Sequence, residues 1–120
     1  MARGNDRMSQ IFTSEEYFCG PTDYTSKEQK LLESKIEKKS CDVARADGWF
    51  TRKYSAPGRR GVQDRIFVKN GVIVFVEYKR IGNVPTGFQC DDALELRLHG
   101  GKVYWTNTVR GTKQILGIYT

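Results

Sequence analysis

Asp64-Arg-Ile-Phe-Val-Lys69-Asn70-Gly71-Val72-Ile-Val-Phe-Val-Glu77-Tyr-Lys79 is two apolar runs joined by Asn-Gly. Asn-Gly between such runs is a strong local signal for a two-residue β-hairpin turn. With Asn70 and Gly71 as the loop, Lys69 faces Val72, and counting outward brings Asp64 opposite Glu77. Their Cβ atoms would then lie about 4.5–5.5 Å apart on one face. Facing carboxylates repel unless something positive lies between them. Lys79 shares the face of Glu77, because alternate residues of a strand point the same way. Two acids with a lysine beside them suit a divalent metal and a phosphate, so the hairpin points to metal-dependent phosphodiester cleavage.

The rest of the chain is compatible with that chemistry. A length of 120 residues fits one domain with a core of its own. The formal charge of +6 and pI near 9.3 favour anionic partners, nucleic acid ahead of membrane. Three cysteines at irregular spacing, no CxxC pair and one histidine argue against a four-ligand zinc site and for reduced thiols. The N-terminus lacks an apolar signal region and no run approaches a membrane span, so a soluble, cytoplasmic protein is expected.

Two parts are expected: an N-terminal arm over residues 1–24 and a folded domain over 25–120. Ile11, Phe12, Tyr17 and Phe18 suit an arm that docks on the body or on a second subunit. Thr25 or Ser26 reads as an N-cap with Glu28 or Gln29 at capping-box distance. A single helix is expected from Lys27 to about Ala46, its stripe marked by Leu32, Ile36, Val43 and Ala44. A strand over 49–54, the hairpin, a helix over 86–99, a strand over 102–106 and an untyped apolar element over 114–119 follow. The run before Glu77 suggests a central strand covered on both faces. This order predicts an α/β fold, a mixed β-sheet flanked by helices.

Glu-x-Lys at 77–79 is weak evidence alone, since the same pattern recurs at 28, 33 and 37. Those three copies lie on the lysine-rich helical stretch, where a spacing of two separates the side chains. The competing reading has Glu77 pairing with Lys79 or Arg65 at a strand end. It leaves Asp64 facing Glu77 without purpose. Asp64, Glu77 and the Tyr78 carbonyl offer hard oxygen ligands for Mg²⁺ or Mn²⁺. Lys79 is placed to position a water or to stabilise the transition state. A further acid could come from the helix, where Glu33 and Glu37 lie one turn apart. The loop Pro57-Gly58-Arg59-Arg60-Gly61, with Lys53, Arg65, Lys79 and Arg80, predicts a basic rim for the DNA backbone, its glycines permitting close backbone approach. Gln89 could contact phosphate or the attacking water. The rival from another class is a basic nucleic-acid-binding module whose acids only form salt bridges.

These residues together resemble a VRR-NUC domain, a branch of the PD-(D/E)xK nucleases with a restriction-endonuclease-like core. The likeness runs through Ile36-Glu37, Gly48, Lys53, Pro57 to Arg65, Val74 to Arg80, Pro85-Thr86, Gln89, Leu96-Arg97, Gly100 and Val103-Tyr104. It implies that Asp64 is the motif aspartate, Glu77 and Lys79 are the ExK pair, and Gln89 is the trailing glutamine. Glu37 would be the helix glutamate, with Glu33 as its rival. Gln63 departs from the family, which usually has proline before the aspartate. Stand-alone domains of this size resemble phage-encoded members. That implies a homodimer acting in the host cytoplasm on branched DNA such as four-way junctions, with flap, nick or general DNA nucleases as alternatives.

Overall fold

In a computed structural model that describes residues 12–119, Asn70 and Gly71 both adopt positive φ, 50° and 80°. That is the requirement of the hairpin turn whose twist matches its strands. The turn joins β2 (Arg65–Lys69) to β3 (Val72–Tyr78), and their facing pairs run from Lys69–Val72 to Arg65–Val76. This is the register expected from the sequence, and its continuation sets Asp64 against Glu77. On the other side of β2 lies antiparallel β1 (Phe50–Lys53), a ladder prolonged by the Tyr54 N–H donating to the Asp64 carbonyl at 3.0 Å. β4 (Lys102–Thr106) pairs with β3 in parallel, giving a mixed sheet of order β1-β2-β3-β4. A parallel join needs a crossover, which a helix between β3 and β4 supplies.

The single helix expected over 27–46 is two. α1 (Ser26–Lys30) opens on a complete Thr25–Glu28 capping box, and α2 (Glu33–Ala46) begins after Leu31 and Leu32 turn extended. The break packs Leu31 against the core and leaves Leu32 exposed, so Leu32 does not belong to the buried stripe. It also makes Glu33 the first residue of α2, where unpaired backbone N–H groups favour a carboxylate. Glu28 further ties α1 to Arg110, and that guanidinium holds its carboxyl well down, at about 2.

α3 (Gly87–Leu98) is the crossover helix, and α4 (Val109–Leu116), capped by Thr108, starts before the untyped 114–119 stretch and takes in only its first half. Within α3 the helical spacing of Phe88, Ala93, Leu94 and Leu98 predicts one apolar face, and the structure only half agrees. Ala93 is buried, but Phe88 and Leu98 are 55% and 63% exposed, and Cys90 turns inward instead. Two apolar layers sandwich the sheet. Ile36, Ala44, Phe67, Val76, Tyr78 and Leu116 fill one side. Tyr17, Cys90, Ala93, Val103 and Trp105 fill the other. The second strand of the hairpin is covered on both faces only over its later half, since Val72 and Ile73 remain exposed.

The segment before α1 packs on the body. Residues Ser14–Tyr17 form a 3₁₀ turn with Tyr17 buried, Phe18 bridges to Trp105, and the Trp105 indole donates to the Ser14 carbonyl at 2.6 Å. Ile11 lies outside the described residues. Cys19, Cys41 and Cys90 are all free thiols. Among the described residues, no helix is long and apolar enough to cross a membrane.

Candidate metal centre

Carboxylate oxygens of Glu33, Asp64 and Glu77 lie within 4.8 Å of one another. Three different elements bring them there: the start of α2, the approach to β2 and the end of β3. Glu77 is 1% exposed. Its Oε2 accepts from Gln89 Nε2 at 2.7 Å and stands 3.8 Å from Lys79 Nζ, while its Oε1 is buried without a hydrogen-bond partner among the described residues. Asp64 is fixed from behind, its Oδ2 accepting the Tyr78 backbone N–H at 3.1 Å.

The electrostatics are those of a nest of crowded, partly buried carboxyls. Burial, then the negative charge of Asp64, pushes the Glu77 carboxyl up to about 9, against the pull of Lys79. Burial also raises Asp64, with the Tyr78 N–H working the other way. Glu33 is raised by burial, eased by Lys79 and raised further by Asp64. Three raised carboxyls around one orphaned buried oxygen form a donor set that a hard divalent cation fits.

Glu37 points elsewhere. It is 8% exposed, and its Oε2 accepts from Arg65 Nε at 2.7 Å while Lys53 Nζ lies 3.1 Å away. One helical turn separates it from Glu33, which carries its own carboxylate to the nest while Glu37 meets the basic ends of β1 and β2. Arg65 is thereby engaged internally. Arg59 is engaged as well, bonding Asp92 and Glu95 on α3. Arg60 lies over the Phe88 ring, 5.1 Å from its centre.

Gln89 serves both α3 and the nest. Its Oε1 accepts from the Thr86 N–H, closing a capping box on α3, while its Nε2 holds Glu77. The loop at 57–63 presses against the same helix start. A Cβ on Gly61, which has φ +76°, would sit 2.3 Å from the Phe88 carbonyl atoms. The close approach that its glycine permits is thus to α3. Gln63, fully buried, donates to the Gln89 carbonyl at 3.2 Å and the Asp92 carboxylate at 3.3 Å. Sequence reasoning saw Gln63 only as a departure. Its anchoring role depends on α3 lying alongside, which no local pattern announces.

A hairpin bearing an acid at each end, a helical acid and a mixed sheet between helices define a restriction-endonuclease-like nuclease fold. Comparison with known proteins narrows this. A solved structure described as a VRR_NUC domain superposes with a TM-score of 0.66 at 27% identity, covering 73% of this chain and 97% of that one. A protein of Acyrthosiphon pisum secondary endosymbiont phage 1, named "Putative nuclease p44", is 40% identical over 74 residues, 61% of this chain and 80% of the relative. No protein-family model matches the sequence. The chain belongs to the VRR-NUC nucleases.

Proposed function

We propose that this nuclease is a Mg²⁺- or Mn²⁺-dependent endonuclease that hydrolyses phosphodiesters in branched DNA, four-way junctions foremost. The observation that carries the metal is the convergence of Glu33, Asp64 and Glu77 around the unpartnered Glu77 Oε1. These three carboxylates, with the Tyr78 carbonyl, would hold the ion. Bound there, a divalent ion acidifies a water and offsets charge building on the scissile phosphate.

The chain's own residues supply the rest. Lys79 stands beside Glu77, 3.8 Å from its Oε2, where its ammonium would align the attacking water and stabilise negative charge in the transition state. Gln89 keeps Glu77 in one rotamer, and the Tyr78 N–H does the same for Asp64. Glu37 serves by holding Arg65 and Lys53, a positioning role rather than a ligand role. Lys53, Arg60 and Arg80 are the cations we assign to the DNA backbone. Arg59 and Arg65 add positive potential while bonded to carboxylates of the fold.

One active site per chain can cut two strands symmetrically only as a pair, which supports a homodimer. Action on phage DNA would take place in the host cytoplasm. Within the chain, residues 25–120 are the nuclease domain in this reading and residues 1–24 an accessory segment.

Labelled four-way junction, flap, nicked, duplex and single-stranded DNA, each incubated with Mn²⁺ or with EDTA, test the reading. Paired symmetric nicks across the junction, absent in EDTA, are expected. Equal cutting of every substrate would reduce it to a general nuclease. DNA binding without cutting in Mn²⁺ would leave a binding module.

A further inference from the structure

Residues 14–24, the loop 82–84 and the end of β4 line an open cavity of about 370 Å³ that lies outside the carboxylate nest. Its apolar walls are Phe18, Tyr24, Val84 and Trp105, and its polar groups include Glu15 and Asn107. Among the described residues, no lysine or arginine lines it. Asn107 is 5% exposed; its Nδ2 donates to the Tyr24 hydroxyl at 2.9 Å, and its Oδ1 is buried without a hydrogen-bond partner among the described residues. The cavity is built on the strand next to the metal centre. Trp105 is the register partner of Glu77, one strand spacing of about 4.8 Å away. The Lys79 N–H donates to the Thr106 carbonyl at 3.1 Å, and the loop 82–84 follows Lys79 closely in the chain.

We propose that this cavity receives one unpaired nucleobase of the DNA substrate, preferably a base with an exocyclic amino group. The volume is that of a small-molecule pocket. Aromatic walls suit the flat face of a base, which stacks on such side chains whatever its identity. The Asn107 amide and the Glu15 carboxylate offer acceptors beside the Ser14 and Thr22 hydroxyls and the Asn83 amide, so a base edge that carries a donor amino group finds partners here. Adenine, cytosine and guanine each carry an amino group there; thymine presents one N–H between two carbonyls. A lining without cations disfavours a phosphate as occupant, and an aliphatic peptide side chain would leave the Asn107 oxygen unpaired. In duplex DNA the donor edge is used by the partner strand, so only an extrahelical base can offer it. The segment before α1 then forms one wall of a subsite that reads unpaired nucleotides beside the cutting centre.

The inference rests on DNA being the substrate. Its test is equilibrium binding of full-length protein, in EDTA at fixed salt, to two duplexes that differ only by a single bulged adenine. The wild type is expected to bind the bulged duplex at least about fivefold tighter, since base–aromatic stacking alone is worth about 1–3 kcal/mol and about 1.4 kcal/mol is tenfold. A bulged 2-aminopurine should lose fluorescence on binding as it stacks. Val84→Trp fills the cavity from an exposed position and should bring the bulged-to-paired ratio close to one, whereas Asn107→Leu removes an acceptor but keeps the aromatic walls and should lower the ratio only in part. If Asn107→Leu does not fold, Val84→Trp decides. Equal wild-type affinity for both duplexes, or a ratio untouched by Val84→Trp, overturns the proposal. The four-way junction incubated in Mn²⁺ alongside these duplexes separates the two readings: bulge preference with no junction cleavage defeats the nuclease mechanism alone, and junction cleavage without bulge preference defeats the cavity alone.

Discussion

Glu77→Gln should make the metal-free protein more stable, and increasingly so as the pH rises. In the folded state the Glu77 carboxyl titrates near 9, raised by burial and by Asp64. In the unfolded chain it titrates near its ordinary value of about 4.3. An acid raised on folding contributes full stability below its unfolded pKa and loses it as pH climbs toward the folded one. Between about pH 5 and 8 the native state holds a proton that the unfolded state releases, so stability falls by up to about 1.4 kcal/mol per pH unit. For a domain of this size that is a melting temperature lower by roughly 5 °C per unit. Asp64 and Glu33 are raised as well and act in the same direction, whereas Glu28, lowered to about 2, titrates below this window. Glutamine keeps an acceptor for Gln89 and carries no proton to lose. Thermal melts in EDTA from pH 5.5 to about 8.5 are the assay, spanning the window between the unfolded and folded titrations. The wild type should lose stability steadily, and Glu77→Gln should flatten most of that slope and match the wild type at the acid end. A wild-type profile that is flat or rising, or an unchanged slope in the variant, would refute the picture of a buried, protonated Glu77.

Glu33→Gln and Glu37→Gln should separate cleanly. The first should abolish Mn²⁺-dependent cleavage at little cost in urea stability. The second should cost about 1–3 kcal/mol by leaving the Arg65 guanidinium half-buried with a weakened partner, while cleavage persists below the melting transition. Gly71→Ala meets open space and should lose only about 1 kcal/mol from its positive φ, whereas Gly61→Ala collides with the Phe88 backbone and should lose about 3 kcal/mol or more together with cleavage, both read from urea melts and a nicking assay. Gln89→Leu should lower the cleavage rate and loosen the start of α3, seen as faster amide exchange at Thr86 and Cys90.

The features readable from sequence were the local ones. Asn70-Gly71 dictates its own dihedral angles, and those dictate a register that reaches Asp64 and Glu77 without any distant contact. The Thr25 cap was visible because a capping box is complete within four residues. What stayed hidden depends on elements meeting. Nothing in Glu33 or Glu37 says which one faces the hairpin; the choice is made by Arg65 and Lys53, which come from strands and take up Glu37. The break at Leu31–Leu32 is set by what lies beneath, since leucine is otherwise a good helix former. Gln63 and Asn107 look like ordinary polar residues until Asp92 and Tyr24 are seen beside them.

Calorimetric titration of Mn²⁺ into the wild type and Asp64→Asn at several pH values between about 6 and 8, where the Glu77 carboxyl, raised to about 9, still holds its proton, addresses the candidate metal centre most directly. Saturable binding by the wild type, tightening with pH as protons leave the carboxyls, and no saturable binding by Asp64→Asn are the expected results. Indistinguishable isotherms for the two proteins, or wild-type affinity that does not change with pH, would show that these acids do not form a cation site.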